Sequence, residues 1–284
     1  YLYFRLRIGQ SSQLFWRSVA LGVHYGRDTG LSAEFHYPMG KAPPLLRPFV
    51  TPPSEPSPPK AAILVYNPIG GKKKALKLCD KIVIPMLESA SISVEKQPTL
   101  HAGHAQELGK TLSLKGIDAL LVMGGDGTLS DLLNGFLQRD DGAAESGSCR
   151  LGFIPAGTGN GYLREALGTK TVAGCESGVR AAVQAIIDGR SRRVDCQQLD
   201  MMRQPGGDPM SMVSINTVMA GFGPDATAVA ESRRWLGPMR YDVSIKTELL
   251  KLPCRKPLPC KLTIDGDVEQ LPDLFLFSSF INKH

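Results

Sequence analysis

Asp126 stands among three glycines in Gly124-Gly125-Asp126-Gly127-Thr128, and that grouping can do phosphate chemistry. The glycines allow a close backbone approach that a Cβ would block, and free N–H groups at the start of a following helix attract an anion. Asp126 would repel that anion if it only lined the cradle, so its useful place is beside a metal ion or an acceptor hydroxyl. Read as a plain turn, the same residues leave Asp126 a helix cap. A second group, Asn67-Pro68-Ile69-Gly70-Gly71, runs into Lys72, Lys73 and Lys74. Lys72 lies nearest the glycines and is best placed to reach phosphate, while Lys73 and Lys74 read equally well as a solvated first turn. The spacing is neither a Walker loop nor the dinucleotide fingerprint. A third group, Pro155-Ala156-Gly157-Thr158-Gly159-Asn160, sets two glycines around Thr158, whose hydroxyl and N–H suit phosphate, with Asn160 capping or orienting.

Each group follows a short apolar run and precedes a helical pattern. Strands are expected near 61–66, 92–97, 118–123 and 151–154, and helices near 72–90, 102–114, 128–138 and 160–167, with Pro85 kinking or breaking the first. That alternation predicts an α/β fold, a three-layer parallel nucleotide-binding domain over 61–191, preceded by a leader and proline-rich linker over 1–60. Ligands in such sheets sit outside the carboxyl ends of the strands, so the three turns would converge on one crevice. From 192 to 284 strands dominate: 193–201, 212–219, a hairpin turning at Asp265-Gly266, and 274–280. With helices near 226–235 and 241–252, this predicts an antiparallel β-sandwich-like second domain, incomplete at its C-terminus. Leu236, Met239, Ile245, Leu249 and Leu250 either wall an acyl pocket or pack in the core.

Taken jointly, Asn67-Pro-x-Gly-Gly71, Gly124-Gly-Asp-Gly-Thr128 and Pro155-Ala-Gly-Thr-Gly-Asn160 resemble the catalytic domain of the diacylglycerol kinase and sphingosine kinase superfamily of lipid kinases. Asp131-Leu-Leu-Asn-Gly135 and the continuation to Gly161 are more similar to sphingosine, or long-chain base, kinases. A fourth block, Ala220-Gly-Phe-Gly-Pro-Asp225 followed by Glu231-Ser-Arg-Arg-Trp-Leu-Gly-Pro-Met-Arg-Tyr241, is similar to the sphingoid-kinase segment after the first domain. The resemblance implies an ATP-dependent enzyme that, with Mg²⁺, transfers the γ-phosphate to the primary hydroxyl of a sphingoid base. Diacylglycerol and ceramide are the alternative acceptors. It also implies an active site in the cleft between the two domains, and family members that continue past both ends of this chain.

Carried over by residue, the resemblance puts Asn67, Pro68, Ile69, Gly70, Gly71 and Lys72 at the nucleotide, with the segment Thr99, Leu100, His101, Ala102 and Gly103. Gly124, Gly125, Gly127 and Thr128 serve phosphate, Asp126 matches the catalytic base and also meets the acceptor, and Asp131 stands where glutamate is usual. Gly157, Thr158, Gly159 and Asn160 fall on nucleotide contacts, and Arg234 and Arg240 on two arginines that hold ATP phosphates. One departure concerns the lipid. A family aspartate that contacts the sphingoid head group aligns with Thr227, and the nearest carboxylate is Asp225. Both are carried as substrate-binding; the metal's ligands are left unassigned.

Composition restricts the alternatives. At 284 residues and 42% hydrophobic the chain can bury two cores. Six cysteines without Cys-x-x-Cys spacing indicate neither a zinc site nor a disulfide scaffold, so reduced thiols and a cytoplasmic setting are expected. His101 and His104 read as surface or capping residues more than as catalytic ones. The net charge of +6 comes from clusters at Lys72 to Lys77, Arg190 to Arg193 and Arg233 to Arg240 without interleaved aromatics. Those suit anionic ligands and acidic headgroups better than nucleic acid, and a peripheral membrane association is expected. No run of about 18 apolar residues suggests a membrane span. An NAD kinase shares Gly-Gly-Asp-Gly-Thr but lacks the Asn67 and Glu231 blocks. An inactive lipid- or nucleotide-binding fragment is the other alternative, and the intact Asp126 and glycines argue against it.

Overall fold

The structure is a computed structural model. It describes residues 2–8, 17–23, 57–70, 74–141, 149–157, 160–162, 176–191, 196–202, 209–237, 239–254, 258–264, 267–274 and 276–280. Two compact units divide the chain: residues 47–194, and residues 1–46 together with 195–284. The chain opens on strands β1 (Leu2–Ile8) and β2 (Arg17–Val23), which belong to the second of these units.

In the unit of residues 47–194, β3 (Ala61–Tyr66), β4 (Ser93–Pro98), β5 (Ala119–Gly124) and β6 (Arg150–Pro155) form a parallel sheet in the order β4-β3-β5-β6. The two central strands are almost wholly apolar because helices cover both faces. Leu64, Tyr66, Leu121, Met123 and Ile154 point to one face and share a core with Cys79, Val83, Leu87, Val179 and Val183. These come from α1 (Ala75–Leu78), a π-helical turn (Cys79–Val83), α2 (Ile84–Ser89) and α5 (Glu176–Ile187). The alternate residues Ile63, Val65, Leu120 and Val122 are equally buried and face the other side, that of α3 (His104–Thr111) and α4 (Asp126–Leu137).

Pro85 interrupts the first helix without ending it: the chain stays helical from Ala75 to Ser89 but widens into the π turn just upstream of the proline. Helix α5 was not anticipated, although Val179, Ala182, Val183 and Ile186 carry helical spacing.

Helices α3 and α4 meet at their glycines. A Cβ at Gly109 would lie 2.5 Å from the Leu132 carbonyl oxygen, and one at Gly135 would run into the Gln106 carbonyl. Past the end of α4, Arg139 is 8% exposed and donates from Nη1 to Gly109 O (2.8 Å) and Lys110 O (3.2 Å), and from Nη2 to Leu112 O (2.7 Å). Its Nε reaches Asp141 at 3.0 Å. One guanidinium thus satisfies the open carbonyls at the end of α3. Arg139→Ala is expected to cost about 1.5–3 kcal/mol in urea unfolding, the range for hydrogen bonds to a charged group. Arg139→Lys should recover little, because one ammonium cannot span three carbonyls and a carboxylate.

The remaining unit is antiparallel. Its main sheet has the order β11-β10-β2-β1-β7-β8, with β7 (Gln197–Met202), β8 (Pro209–Ser214), β10 (Leu258–Ile264) and β11 (Asp267–Leu274). A second pair joins β9 (Thr217–Gly221) to β12 (Leu276–Phe280). Helices α6 (Phe222–Ser232) and α7 (Met239–Leu250) follow β9 and pack on each other. The hairpin strands pair as expected, with Ile264 opposite Asp267, although Asp265 and Gly266 lie outside the described residues.

Two expectations are corrected here. Residues 2–8 and 17–23, expected within a leader, form strands of the fold: β1 pairs with β2 and β7, and β2 with β10, inside the six-stranded sheet. The alternation was present in Phe4, Leu6, Ile8 and in Val19, Leu21, Val23, hidden in the first run by Arg5 and Arg7 and in the second by the small Ala20 and Gly22. The single strand foreseen over 212–219 is two, β8 and β9, separated at Ile215-Asn216. There the Asn216 N–H donates to Ser214 Oγ at 3.3 Å and turns the chain into the other sheet.

Candidate active site in the nucleotide-binding unit

The order β4-β3-β5-β6 reverses direction between β3 and β5, and the loops at the carboxyl ends of these strands carry the three glycine groups. Hydrogen bonds knit them together. The Asn67 N–H donates to Met123 O (3.1 Å), Thr99 N–H to Tyr66 O (2.9 Å), and the N–H groups of Ala156 and Gly157 both donate to Gly124 O (2.8 and 2.9 Å). The Asn67 side chain accepts from the Ile69 N–H at 3.1 Å, which folds the first turn back on itself. Gly70 follows in that turn, its N–H donating to Asn67 O at 3.0 Å.

Asp126 is the first residue of α4, with Gly125 as the cap residue in an extended conformation and no side chain capping the helix. The opening N–H groups of α4 are therefore available to an anion. The Asp126 carboxylate instead crosses to the neighbouring loop, where Oδ2 accepts the Gly161 N–H (2.8 Å) and Oδ1 the Tyr162 N–H (3.1 Å). It caps the helical turn that starts there, not its own helix. Each oxygen keeps a lone pair, so Asp126 can still accept a proton from a hydroxyl.

Gly157 explains why this loop needs glycine. A Cβ there would stand 2.5 Å from the Gly125 Cα and 2.6 Å from Asn160 Oδ1. Gly125 is less demanding, since its added Cβ would meet Gly157 Cα at 3.4 Å, and Gly127 faces open space. The Thr128 side chain sits over Gly124, where a Cβ would approach within 2.8 Å. Asn160, at φ 49°, is buried, and both ends of its amide serve Gly157: Nδ2 donates to Gly157 O (3.1 Å) and Oδ1 accepts its N–H (3.2 Å). It shapes the loop from inside. Gly71, Lys72, Thr158 and Gly159 lie outside the described residues.

The segment 99–103 leads into α3, whose cap residue Gly103 has φ 83°, reached without strain by glycine. His104 Nδ1 accepts the Leu100 N–H at 3.0 Å, so neutral His104 carries its proton on Nε2. His101 Nδ1 lies 3.0 Å from Ala102 O and donates to it, leaving Nε2 as an acceptor. His101, His104 and Glu107 bring ligand-type atoms within 4.8 Å of one another, with His104 Nδ1 engaged by the Leu100 N–H. Ile69 and Leu100 are 71% and 77% exposed on neighbouring loops, an apolar pair beside the polar turns.

Asp131, one turn into α4, is half-buried, and burial raises its carboxyl pKa above the ordinary value. No cation pairs with it among the described residues. Burial likewise pushes the thiols of Cys79 and Cys149 up to about 11, so both are unreactive. In the other unit, Asp225 is exposed in the first turn of α6, and the Thr227 hydroxyl donates to Gly223 O at 3.0 Å. Arg234 lies in a 3₁₀ turn, Arg234–Leu236. Arg240 is buried and donates from Nη2 to Glu231 Oε1 at 3.1 Å, a partner that the sequence reading did not foresee.

Residues 61–199 match the family model for the diacylglycerol kinase catalytic domain. That segment is a diacylglycerol kinase catalytic domain. Among relatives of this kinase-type domain, the chain is 30% identical over 185 residues to sphingosine kinase 1 of Arabidopsis thaliana, covering 65% of this chain and 36% of that one. It is 27% identical over 229 residues to ceramide kinase of Homo sapiens, covering 75% and 40%. A crystal structure of a diacylglycerol kinase from Bacillus anthracis str. Sterne shares the fold at 20% identity and a TM-score of 0.53, over 80% of this chain and 66% of that one. The chain thus spans between a third and a half of the length of these two curated relatives. No helix among the described residues is long and apolar enough to cross a membrane.

Proposed function

We propose that this chain is the nucleotide-binding part, with a lipid-recognising segment, of an ATP-dependent lipid kinase that phosphorylates the primary hydroxyl of a sphingoid base. The observation that carries the reading is the knot of loops at the sheet's switch point. An uncapped helix start, a glycine cradle with no room for a Cβ at Gly124 or Gly157, and one carboxylate stand there together. Phosphoryl transfer needs positioning and charge stabilisation more than covalent chemistry.

In this reading the N–H groups at Gly125, Gly127 and Thr128, with Lys72 and the Gly157 to Gly159 turn, hold the phosphates. Ile69 and Leu100 offer the base an apolar flank beside Asn67, Pro68 and the 99–103 loop. Asp126 takes the acceptor hydroxyl's proton as that oxygen bonds to the γ-phosphorus and ADP leaves. Asp131 would offer magnesium a hard oxygen ligand, and the ion's charge would offset the burial that raises the Asp131 pKa. When bound, the ion neutralises charge on the phosphates. Arg234 and Arg240 are the proposed phosphate cations of the other unit.

The lipid follows from Asp225. An ammonium head needs a carboxylate, which a diacylglycerol or a ceramide does not, and Asp225 is an exposed carboxylate in the first turn of α6, two residues from Thr227. Membrane-surface association is supported by Trp235, Met239 and Leu250, all exposed, in the segment that also carries Lys246 and Lys251.

A labelled-ATP assay of the chain against sphingosine, ceramide and diacylglycerol, each in neutral and anionic vesicles, tests the assignment. Sphingosine should be preferred. Asp225→Asn should raise its KM about 10-fold or more, as expected for a charge-assisted contact of about 1.5–3 kcal/mol, and leave the KM for ATP alone. Preference for diacylglycerol or ceramide, or an unchanged sphingosine KM, would move the assignment to one of those lipids.

A further inference from the structure

Helix α7 turns its polar side inward. Arg240, Ser244 and Glu248 recur every fourth residue along one face and are all buried, whereas Met239, Ile245, Leu249 and Leu250 are exposed. A surface helix ordinarily does the reverse, so the buried row has a task beyond packing.

The head of that row is Arg240, 7% exposed in the first turn of α7. Its Nη2 donates to Glu231 Oε1 (3.1 Å) and to the Tyr241 hydroxyl (2.8 Å), and the guanidinium lies 4.7 Å from the Tyr241 ring centroid. Glu231 belongs to the last turn of α6, so the ion pair clasps the two ends of a connection that contains Arg234–Leu236 and Gly237 at φ 59°. The clasp is incomplete. A carboxylate that served only to pin the helices would take the two-pronged edge of the guanidinium. Here Glu231 meets Nη2, while Arg240 Nε is buried with no partner among the described residues, as is Ser244 Oγ one turn on. A buried donor without an acceptor is costly until something supplies one.

We propose that Glu231 is the positioning residue for Arg240: it fixes the guanidinium through Nη2 and leaves Nε directed to an incoming phosphate oxygen. The inference rests on the reading of Arg240 as a nucleotide-phosphate ligand. Glu231 does not touch the nucleotide. It sets the rotamer of the residue that does and, through the clasped connection, the path of the segment carrying Arg234.

The test is titration calorimetry of MgATP into the full chain as wild type, Glu231→Gln, Arg240→Gln and the double variant, with melting temperatures recorded for each. Glu231→Gln is expected to weaken ATP binding about 10-fold, and the same change made on top of Arg240→Gln should have almost no further effect. Independent losses in the two single variants, or ATP affinity in Glu231→Gln within about twofold of wild type, overturn the assignment, since a merely structural clasp lowers stability without that coupling. Should Glu231→Gln fail to fold, Tyr241→Phe removes the other Nη2 acceptor without a charge change. It should weaken ATP about 3-fold or more, and an unchanged affinity overturns the proposal equally. A wild type that binds no ATP overturns the kinase reading itself, whereas wild-type binding with an indifferent Glu231→Gln overturns this inference alone.

Discussion

Asp126→Asn is expected to lower turnover by about 10²–10⁴, the scale for loss of a general base, while ATP affinity falls by less than about 10-fold. The two effects separate because Asp126 has two tasks. Its oxygens accept the N–H groups of Gly161 and Tyr162, and the same carboxylate is the proposed proton acceptor. Asparagine keeps one oxygen, so one backbone bond survives, and the amide group faces a backbone donor at the other. That conflict costs about 1–3 kcal/mol if the donor is left without an acceptor, and it loosens the Gly161 turn. Asp126→Ala removes both acceptors and should therefore lose stability as well as turnover. Steady-state kinetics beside ATP calorimetry and urea unfolding resolves the three. Turnover within about threefold of wild type in a folded Asp126→Asn chain would leave the carboxylate only its loop-capping role.

How much of this was legible beforehand depended on the range of the interactions concerned. Strands β3 and β5 are continuous apolar runs that lead into glycine turns, a local pattern, and all four strands β3 to β6 fall within a residue or two of where the sequence put them. The β1 and β2 strands were not foreseen because each depends on partners far along the chain: Leu6 lies opposite Leu199, and Leu21 opposite Leu262. A run such as Phe4-Arg5-Leu6-Arg7-Ile8 reads as a strand only once its apolar face has somewhere to go. The same limit applies within the site. Spacing identified Asp126 and the glycines as a phosphate group, but not that Asp126 would reach Gly161 and Tyr162 across 35 and 36 residues. Nor could it show that Asn160 spends both ends of its amide on Gly157. Gly135 was taken as part of a family motif; the structure gives it a packing reason, the crossing of α3 and α4.

Gly157→Ala is expected to weaken ATP binding about 100-fold, the scale for misplacing a binding group by about 1 Å, although the substitution adds one methyl group. The reason lies in what surrounds that methyl. It would stand 2.5 Å from the Gly125 Cα and 2.6 Å from Asn160 Oδ1, and no flexible side-chain end is available to yield at the first of these. Backbone must move, either the Gly125 end of β5 or the loop after β6, and these two segments carry the proposed phosphate donors. Gly157 is also held by its own N–H, shared between Gly124 O and Asn160 Oδ1, so displacement breaks bonds as well as contacts. Gly125→Ala makes the control. Its methyl would meet Gly157 Cα at 3.4 Å with φ already at −103°, so any loss of ATP affinity there reports the ligand's own need for space and not a shift of the loops. Calorimetry with MgATP on both variants separates the two. If Gly157→Ala binds ATP as the wild type does, the loop after β6 is not part of the phosphate site, however tightly it is tied to Gly124.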